Sequence, residues 1–227
     1  MSFRHALIMA AGRGSRMLPL TDAIPKPMAP FRGSTLIADG IGKIVSKIPF
    51  IHITIGYKKA MLASHVIEHG AASILNTEGH SNSWWVYNTL MTHVDEPVVV
   101  LTADNVTEID FGELYEEYLE LDQPTCMLVP VMPVRGLEGD FIHHTNQIVH
   151  EVDRHKPAEI YCSGIQVLNP ARISRTVPEG DDFYAIWNGL IALGELKVSR
   201  RLPTKWITVD TIEQLMAANN LRTDETV

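Results

Sequence analysis

A three-layer α/β fold, with a mixed, mostly parallel sheet, helices on both faces and an inserted β-hairpin region, follows from three features of the chain. Short continuous apolar runs of strand length recur between residues 5 and 131. Stretches with apolar residues at helical spacing fall between them. The later part breaks this alternation with FIHHTNQIVHEVD (141–153), whose pattern is that of a hairpin around Thr145–Asn146.

Each element can be justified in order. HALIMAA (5–11) is the kind of apolar run covered on both faces. TLIADGIGKIVSKI (35–48) has helical periodicity, FIHITIGY (50–57) is β-branched and reads as a strand, and 58–69 returns to helix before Gly70. ASILN (72–76) is a third short strand, SWWVYNTLMTHV (83–94) a helix and PVVVLTAD (97–104) a buried strand. Phe111–Leu121 is an acidic amphipathic helix and TCMLVPV (125–131) a further strand. After the hairpin, EIYCSGIQVLNP (159–170) is a strand stopped by Asn169–Pro170, 183–194 and 211–220 are helical, and LKVSRRL (196–202) is a late strand. Strand–helix alternation at this spacing implies right-handed crossovers and a Rossmann-like arrangement. With no internal repeat or linker, residues 1–227 read as one domain.

Composition narrows the class of function. The 227 residues are 45% hydrophobic and 20% charged, enough to bury a full core, and the net charge of −8 disfavours a nucleic-acid partner. A local basic cluster in an acidic chain suggests a small anionic ligand instead. Cys126 and Cys162 lie in apolar runs without metal-type spacing and read as reduced thiols. No run approaches the ~18 apolar residues of a spanning helix, and the N-terminal apolar stretch is too short for a signal segment, so a cytoplasmic protein without membrane partners is expected.

The basic cluster lies in MAAGRGSRMLPLTDAIPKPM (9–28), directly behind the first strand. In an open parallel sheet, ligands bind beyond the carboxyl ends of the strands. Gly12 and Gly14 let the backbone turn sharply and bring N–H groups toward phosphate oxygens. A dinucleotide fingerprint would need glycine or alanine where Met17 stands, and a Walker loop would need Gly-Lys-Ser/Thr there, so neither fits. Arg16 offers a planar fork for phosphate oxygens, and Pro25 and Pro27 stiffen the backbone around Lys26. A cation held in this way can stabilise charge developing on phosphorus.

From Gly12 to Met28 the pattern G-x-G-x-R-M-x-P-L-T-x-x-x-P-K-P-M closely resembles the signature of nucleotidyltransferases of the sugar-phosphate pyrophosphorylase type. The resemblance implies that Ala10, Ala11, Gly12, Arg13, Gly14 and Ser15 wrap a nucleoside triphosphate, while Arg16 and Lys26 grip the α-phosphate and the departing pyrophosphate. It also implies Mg²⁺, held by one or two carboxylates near the loop. Asp104, at the end of VVVLTAD, is the first candidate: the family has an aspartate there, usually in a Gly-Asp pair, whereas this chain reads T-A-D-N. Read locally, Asp104 could instead be no more than a turn cap after a strand. Asp210 in KWITVDTIEQL is the second, matching a family ending in which an aspartate supplies the other ligand; read locally it could be only a helix N-cap.

On the acceptor side, VDRHKP (152–157) resembles the family's E-K-P element, which assigns Lys156 to the acceptor phosphate. YCSGIQVLNP (161–170) resembles the family's acceptor strand, in which Gly164 would let the acceptor approach the backbone, although this strand could equally be plain core. Where sugar nucleotidyltransferases carry Gly-Thr-Ala before the metal strand, this chain has GHSNSWWVYNTL (79–90), closer to the choline-phosphate cytidylyltransferase branch and pointing to Asn82 and Ser83 on the nucleotide side. A quaternary ammonium would favour aromatic faces. Trp84, Trp85, Tyr184, Trp187 and Trp206 are candidates for that role or for core, with Trp187 the acceptor-side choice. His143 and His144 are adjacent on a strand and point to opposite faces, and the other histidines show no ligand pattern.

The reaction implied is Mg²⁺-dependent nucleotidyl transfer from a nucleoside triphosphate, CTP or UTP favoured, to a phosphorylated small molecule such as a sugar 1-phosphate or phosphocholine. A glycosyltransferase using a finished nucleotide-sugar, or a non-catalytic nucleotide-binding protein, are the alternatives.

Overall fold

The computed structural model describes residues 2–220. The first half runs β1 (His5–Met9), α1 (Leu20–Ala23), β2 (Pro30–Phe31), β3 (Ser34–Thr35), α2 (Leu36–Ile44), β4 (Phe50–Ile55), α3 (Lys59–Glu68), β5 (Ser73–Asn76), α4 (Trp84–Asn88), β6 (Val98–Thr102) and β7 (Asn105–Glu108). There follow α5 (Phe111–Glu120), β8 (Cys126–Val131), β9 (Phe141–Thr145), β10 (Ile148–Asp153), β11 (Tyr161–Leu168), α6 (Pro170–Thr176), α7 (Phe183–Leu193), β12 (Leu196–Val198), β13 (Lys205–Thr208) and α8 (Ile212–Asn220).

Nine strands form the main sheet in the order β5-β4-β1-β6-β11-β8-β12-β10-β9. β5, β4, β1 and β6 pair in parallel, with Leu7 of β1 opposite His52 on one side and Val100 on the other. β11 is antiparallel to both β6 and β8, β12 is parallel to β8, and β10 is antiparallel to β12 and β9. β5, β4, β1, β6, β8, β12 and β9 therefore share one direction, against β11 and β10, as a mixed, mostly parallel sheet requires.

The continuous apolar runs divide their residues between two layers. Ala6, Ile8, Val99 and Leu101 pack on one face with Ile41 of α2, Leu62 of α3 and Leu114 of α5. Leu7, Val98 and Val100 pack on the other with Trp85 of α4, Ile173 of α6 and Leu190 of α7. A third, smaller cluster joins Met17, Phe31, Leu36, Val106, Val209 and Leu215. It ties the segment after β1 to α8 and to the two-stranded β7–β13 ribbon, whose register sets Trp206 opposite Thr107.

Local chemistry sets the element ends. The side chains of Thr35, Asp110, Asn169 and Asp182 cap α2, α5, α6 and α7. Asn146 and Gln147, both at positive φ (50° and 65°), turn the β9–β10 hairpin, one residue later than the sequence places it. The helix expected over 83–94 is broken: Thr89 is extended (φ −126°, ψ 179°), ends α4 and caps a separate 3-10 turn, Leu90–His93. The sequence stop at Asn169–Pro170 is also the start of α6, with Asn169 as cap and proline in the first turn.

Candidate active site

β1 ends at Met9 in the middle of the parallel strands, with β4 on one side and β6 on the other. The chain beyond it is fixed from both neighbours: Ala10 N–H donates to Thr54 Oγ1 of β4 at 3.0 Å, and Ala103 N–H, just past β6, donates to the Met9 carbonyl at 3.0 Å. Gly14 then takes a left-handed conformation (φ +68°), and a Cβ built there would lie 2.6 Å from Lys26 Cβ. This glycine is needed twice over, for its backbone angle and for the lysine stem packed against it. Thr21 Oγ1 closes the loop on the Gly14 carbonyl at 3.1 Å, and Tyr57 OH holds the Thr21 carbonyl at 2.9 Å.

Lys26 opens a 3-10 turn behind Pro25 and is 9% exposed. Its ammonium donates to Asp104 Oδ2 at 2.9 Å and to Asp210 Oδ1 at 2.7 Å, so residues 78 and 184 positions away converge on one cation. Arg16 Nη2 reaches the same Asp210 oxygen at 2.8 Å. The local alternatives for both aspartates are answered by hydrogen bonds. α8 opens with a capping box in which Thr211 Oγ1 accepts from Gln214 N–H and Gln214 Oε1 accepts from the N–H groups of Asp210 and Thr211. Thr211 is thus the cap, and the Asp210 carboxylate is left for Lys26, Arg16 and the Thr208 hydroxyl. Asp104 contributes its backbone carbonyl to Val209 N–H and sends its side chain to Lys26. Burial pushes the Asp210 carboxyl up, but Lys26, Arg16 and Thr208 outweigh it and hold the group below the usual carboxylate range.

Three contiguous hollows meet at Met9 and Asp104. One of about 270 Å³ is lined by Ala10, Gly12, Gly14, Ser15, Arg16 and Lys26. A second, of about 570 Å³, lies toward Ala11, Arg13, Tyr57, Asn82 and Trp85. The third, of about 660 Å³, extends past Asn105, Gly164, Gln166, Trp187 and Trp206 to Asp140 and Arg154. Arg13 leans over the Tyr57 ring at 5.3 Å. Ser83 is buried, its hydroxyl against Ser81, and lines none of these hollows.

The far wall differs from the sequence expectation. Lys156 is 60% exposed, ion-paired with Glu151 and absent from the lining, so the structure does not bring it to the cleft. Arg154, two residues earlier, enters instead. Its Nε donates to Asp140 Oδ1 at 2.9 Å, and the Tyr184 hydroxyl donates to the same oxygen. The backbone N–H groups of His155 and Lys156 fold onto Asp153 Oδ1, turning the chain so that the arginine faces in and the lysine out. Gly164 (φ +84°) sits on the cleft floor, where a Cβ would crowd Asn105 Nδ2 at 3.0 Å and Thr102 at 3.2 Å. The Trp187 indole donates to Gln166 Oε1 at 3.1 Å and its ring stacks on Phe183. Trp206 donates to the Ser163 carbonyl at 2.8 Å. Sequence reasoning missed the Asp140–Arg154–Tyr184 cluster, which no local spacing announces. It also missed Gln214, although T-x-x-Q before a helix is a legible signal.

Among the described residues, no group of three or more His, Cys, Asp and Glu is placed to hold a metal, and no helix is long and apolar enough to cross a membrane. The sequence model of the nucleotidyl transferase family matches residues 5–137. The bifunctional protein GlmU of Methanocaldococcus jannaschii is 29% identical over 108 residues, 48% of this chain and 26% of that protein, so the chain spans about a quarter of that relative's length. The UTP–glucose-1-phosphate uridylyltransferase AglF of Haloferax volcanii is 24% identical over 176 residues, 74% of this chain and 72% of AglF. A Bacillus anthracis structure described as a glucose-1-phosphate thymidylyltransferase superposes with a TM-score of 0.77 at 19% identity, covering 98% of this chain and 96% of that one. At that identity the likeness shows the fold.

Proposed function

The chain belongs to the nucleotidyl transferase family, and from that premise we propose that it transfers a nucleoside monophosphate from a nucleoside triphosphate to the phosphate of a sugar 1-phosphate, releasing pyrophosphate. The observation that carries this reading is the convergence of Lys26, Arg16, Asp104 and Asp210 at the mouth of the glycine turn. UTP is the favoured donor: AglF, named for UTP and glucose 1-phosphate, matches nearly three quarters of both chains.

In this reading the N–H groups of Gly12 to Ser15 and the two cations receive the triphosphate. An oxygen of the acceptor phosphate attacks the α-phosphorus, the bond to the β-phosphate oxygen breaks, and pyrophosphate leaves. The acceptor phosphate is already ionised at neutral pH, so no protein base is needed, and Lys26 and Arg16 neutralise the charge that builds on the α-phosphoryl and leaving group. Asp104 and Asp210 fit Mg²⁺: they are two hard oxygen donors that already share one cation, and this ion favours one or two carboxylates completed by phosphates and water. Asp104 and Asp210 would hold the ion, and the chemistry it would supply there is neutralisation of phosphate charge. On the acceptor side Arg154, held by Asp140, which also accepts from the Tyr184 hydroxyl, replaces Lys156 as the cation available to the acceptor, above a floor formed by Gly164 and Trp187.

The test is a pyrophosphate-release screen of the common nucleoside triphosphates against sugar 1-phosphates and phosphocholine. Release that requires both substrates, fastest with UTP and a sugar 1-phosphate, is expected. No release from any pair would overturn the reading. A preference for phosphocholine would move the acceptor to the cationic class.

A further inference from the structure

The Lys26 ammonium sits between the two carboxylates that would hold the metal, at 2.9 Å from one and 2.7 Å from the other. Its side chain is 11% exposed. The stem is pressed against Gly14, and Pro25 and Pro27 limit how far the backbone can carry it away. Arg16 lies against Asp210 from the solvent side. Two carboxylates against one ammonium and one guanidinium leave no net charge for a divalent ion to neutralise. A metal arriving alone would compete with the ammonium for both carboxylates and leave it, at 11% exposed, with weakened acceptors, which is costly. A metal arriving on a triphosphate brings phosphate oxygens, and these give the same ammonium new acceptors.

We propose that Lys26 is a resident counter-ion that keeps free divalent metal out of the Asp104–Asp210 pair until a polyphosphate supplies acceptors for its ammonium. The inference rests on the reading of those two aspartates as the metal-holding residues. It gives Lys26 a role before chemistry, as the group that makes metal entry depend on nucleotide entry.

The test uses the full chain and Mn²⁺ alone, with bound and free ion separated by electron paramagnetic resonance and no nucleotide present. Lys26→Met keeps the stem and removes the charge. It is expected to bind Mn²⁺ at least about tenfold tighter than wild type, and Asp104→Asn added to it should abolish the gain. Equal or weaker Mn²⁺ binding by a folded Lys26→Met protein would overturn the proposal. Should that variant not fold, the wild-type melting temperature decides. Mn²⁺ alone should leave it unchanged, and Mn²⁺ with inorganic tripolyphosphate should raise it. A rise with Mn²⁺ alone overturns the counter-ion role and leaves the transfer reading intact. No rise with either probe overturns the triphosphate site, and both readings with it.

Discussion

At the scale of single residues, the site depends on a cation whose position is set by its neighbours' backbones. Lys26→Ala is expected to lower turnover by about two to three orders of magnitude while the circular dichroism spectrum stays that of the wild type; a rate within a few-fold of wild type would remove Lys26 from the mechanism. Gly14→Ala puts a Cβ 2.6 Å from the Lys26 stem at φ +68° and should cost about 1–2 kcal/mol of stability together with most of the activity. Urea denaturation and pyrophosphate release measure the two effects separately. Arg154→Ala should raise KM for the phosphorylated acceptor about tenfold or more and leave KM for the nucleotide unchanged, and a rise in both would place Arg154 elsewhere. The glycine turn and its cations were legible in the sequence because the residues that build them are consecutive, Gly12 to Met28. Arg154 was not. Whether it or Lys156 faces the cleft is decided by two backbone hydrogen bonds to Asp153 and by a partner on a different segment, Asp140.

At the scale of elements, the carboxylates are delivered by structures that pair over long sequence distances. Asp104 follows β6 and Asp210 follows β13, and β13 is placed by pairing with β7, with Thr208 opposite Asn105, and by Trp206 on the Ser163 carbonyl. Neither strand of that ribbon is apolar enough or long enough to be read from sequence alone, whereas the runs that became β1, β4, β6 and β8 were. Glu117 on α5 secures the segment leading into β13. It is 3% exposed and accepts from Gln147 Nε2 at 2.8 Å, Arg200 N–H at 2.8 Å, Arg201 N–H and the Ser199 hydroxyl. Burial raises its pKa, and these donors outweigh burial and hold the carboxyl below its ordinary value. Glu117→Ala leaves the Arg200 N–H without its acceptor, while Arg201 N–H keeps Ser199 Oγ, the Ser199 hydroxyl keeps the Arg201 carbonyl and Gln147 Nε2 keeps the Val198 carbonyl. The loss should cost about 2 kcal/mol, read as a lower urea midpoint. A loss under about 1 kcal/mol would show that the clamp is dispensable.

At the scale of the whole molecule, the two ends of the parallel strands have different chemistry. The carboxyl ends carry the cleft. The amino ends carry a row in which His5 Nδ1 meets His52 Nε2 at 3.0 Å and His52 Nδ1 meets Ser73 Oγ at 2.7 Å. Burial, with the neighbouring His5, lowers the His52 pKa to about 4; burial also lowers that of His5. Each histidine takes up its proton more readily in the unfolded chain, so this stability is fully present above pH ~6.5 and is lost as pH falls toward 4. Melting temperature should therefore be flat above neutrality and drop between pH 6.5 and 4, less steeply in His52→Gln; an unchanged melting temperature from pH 7 to 5 would contradict the assignment.

The proposed reaction makes a stricter demand on the cleft at the other end, that phosphorus be transferred from the α-position. The most direct measurement follows label from UTP carrying ³²P at either the α- or the γ-phosphate, incubated with Mg²⁺ and a sugar 1-phosphate. The α-label should enter a nucleotide-sugar and the γ-label should appear only in pyrophosphate, with both transfers lost in Lys26→Met. Label from the γ-position in the acceptor, or α-transfer undiminished in Lys26→Met, would contradict the chemistry assigned to Lys26, Asp104 and Asp210.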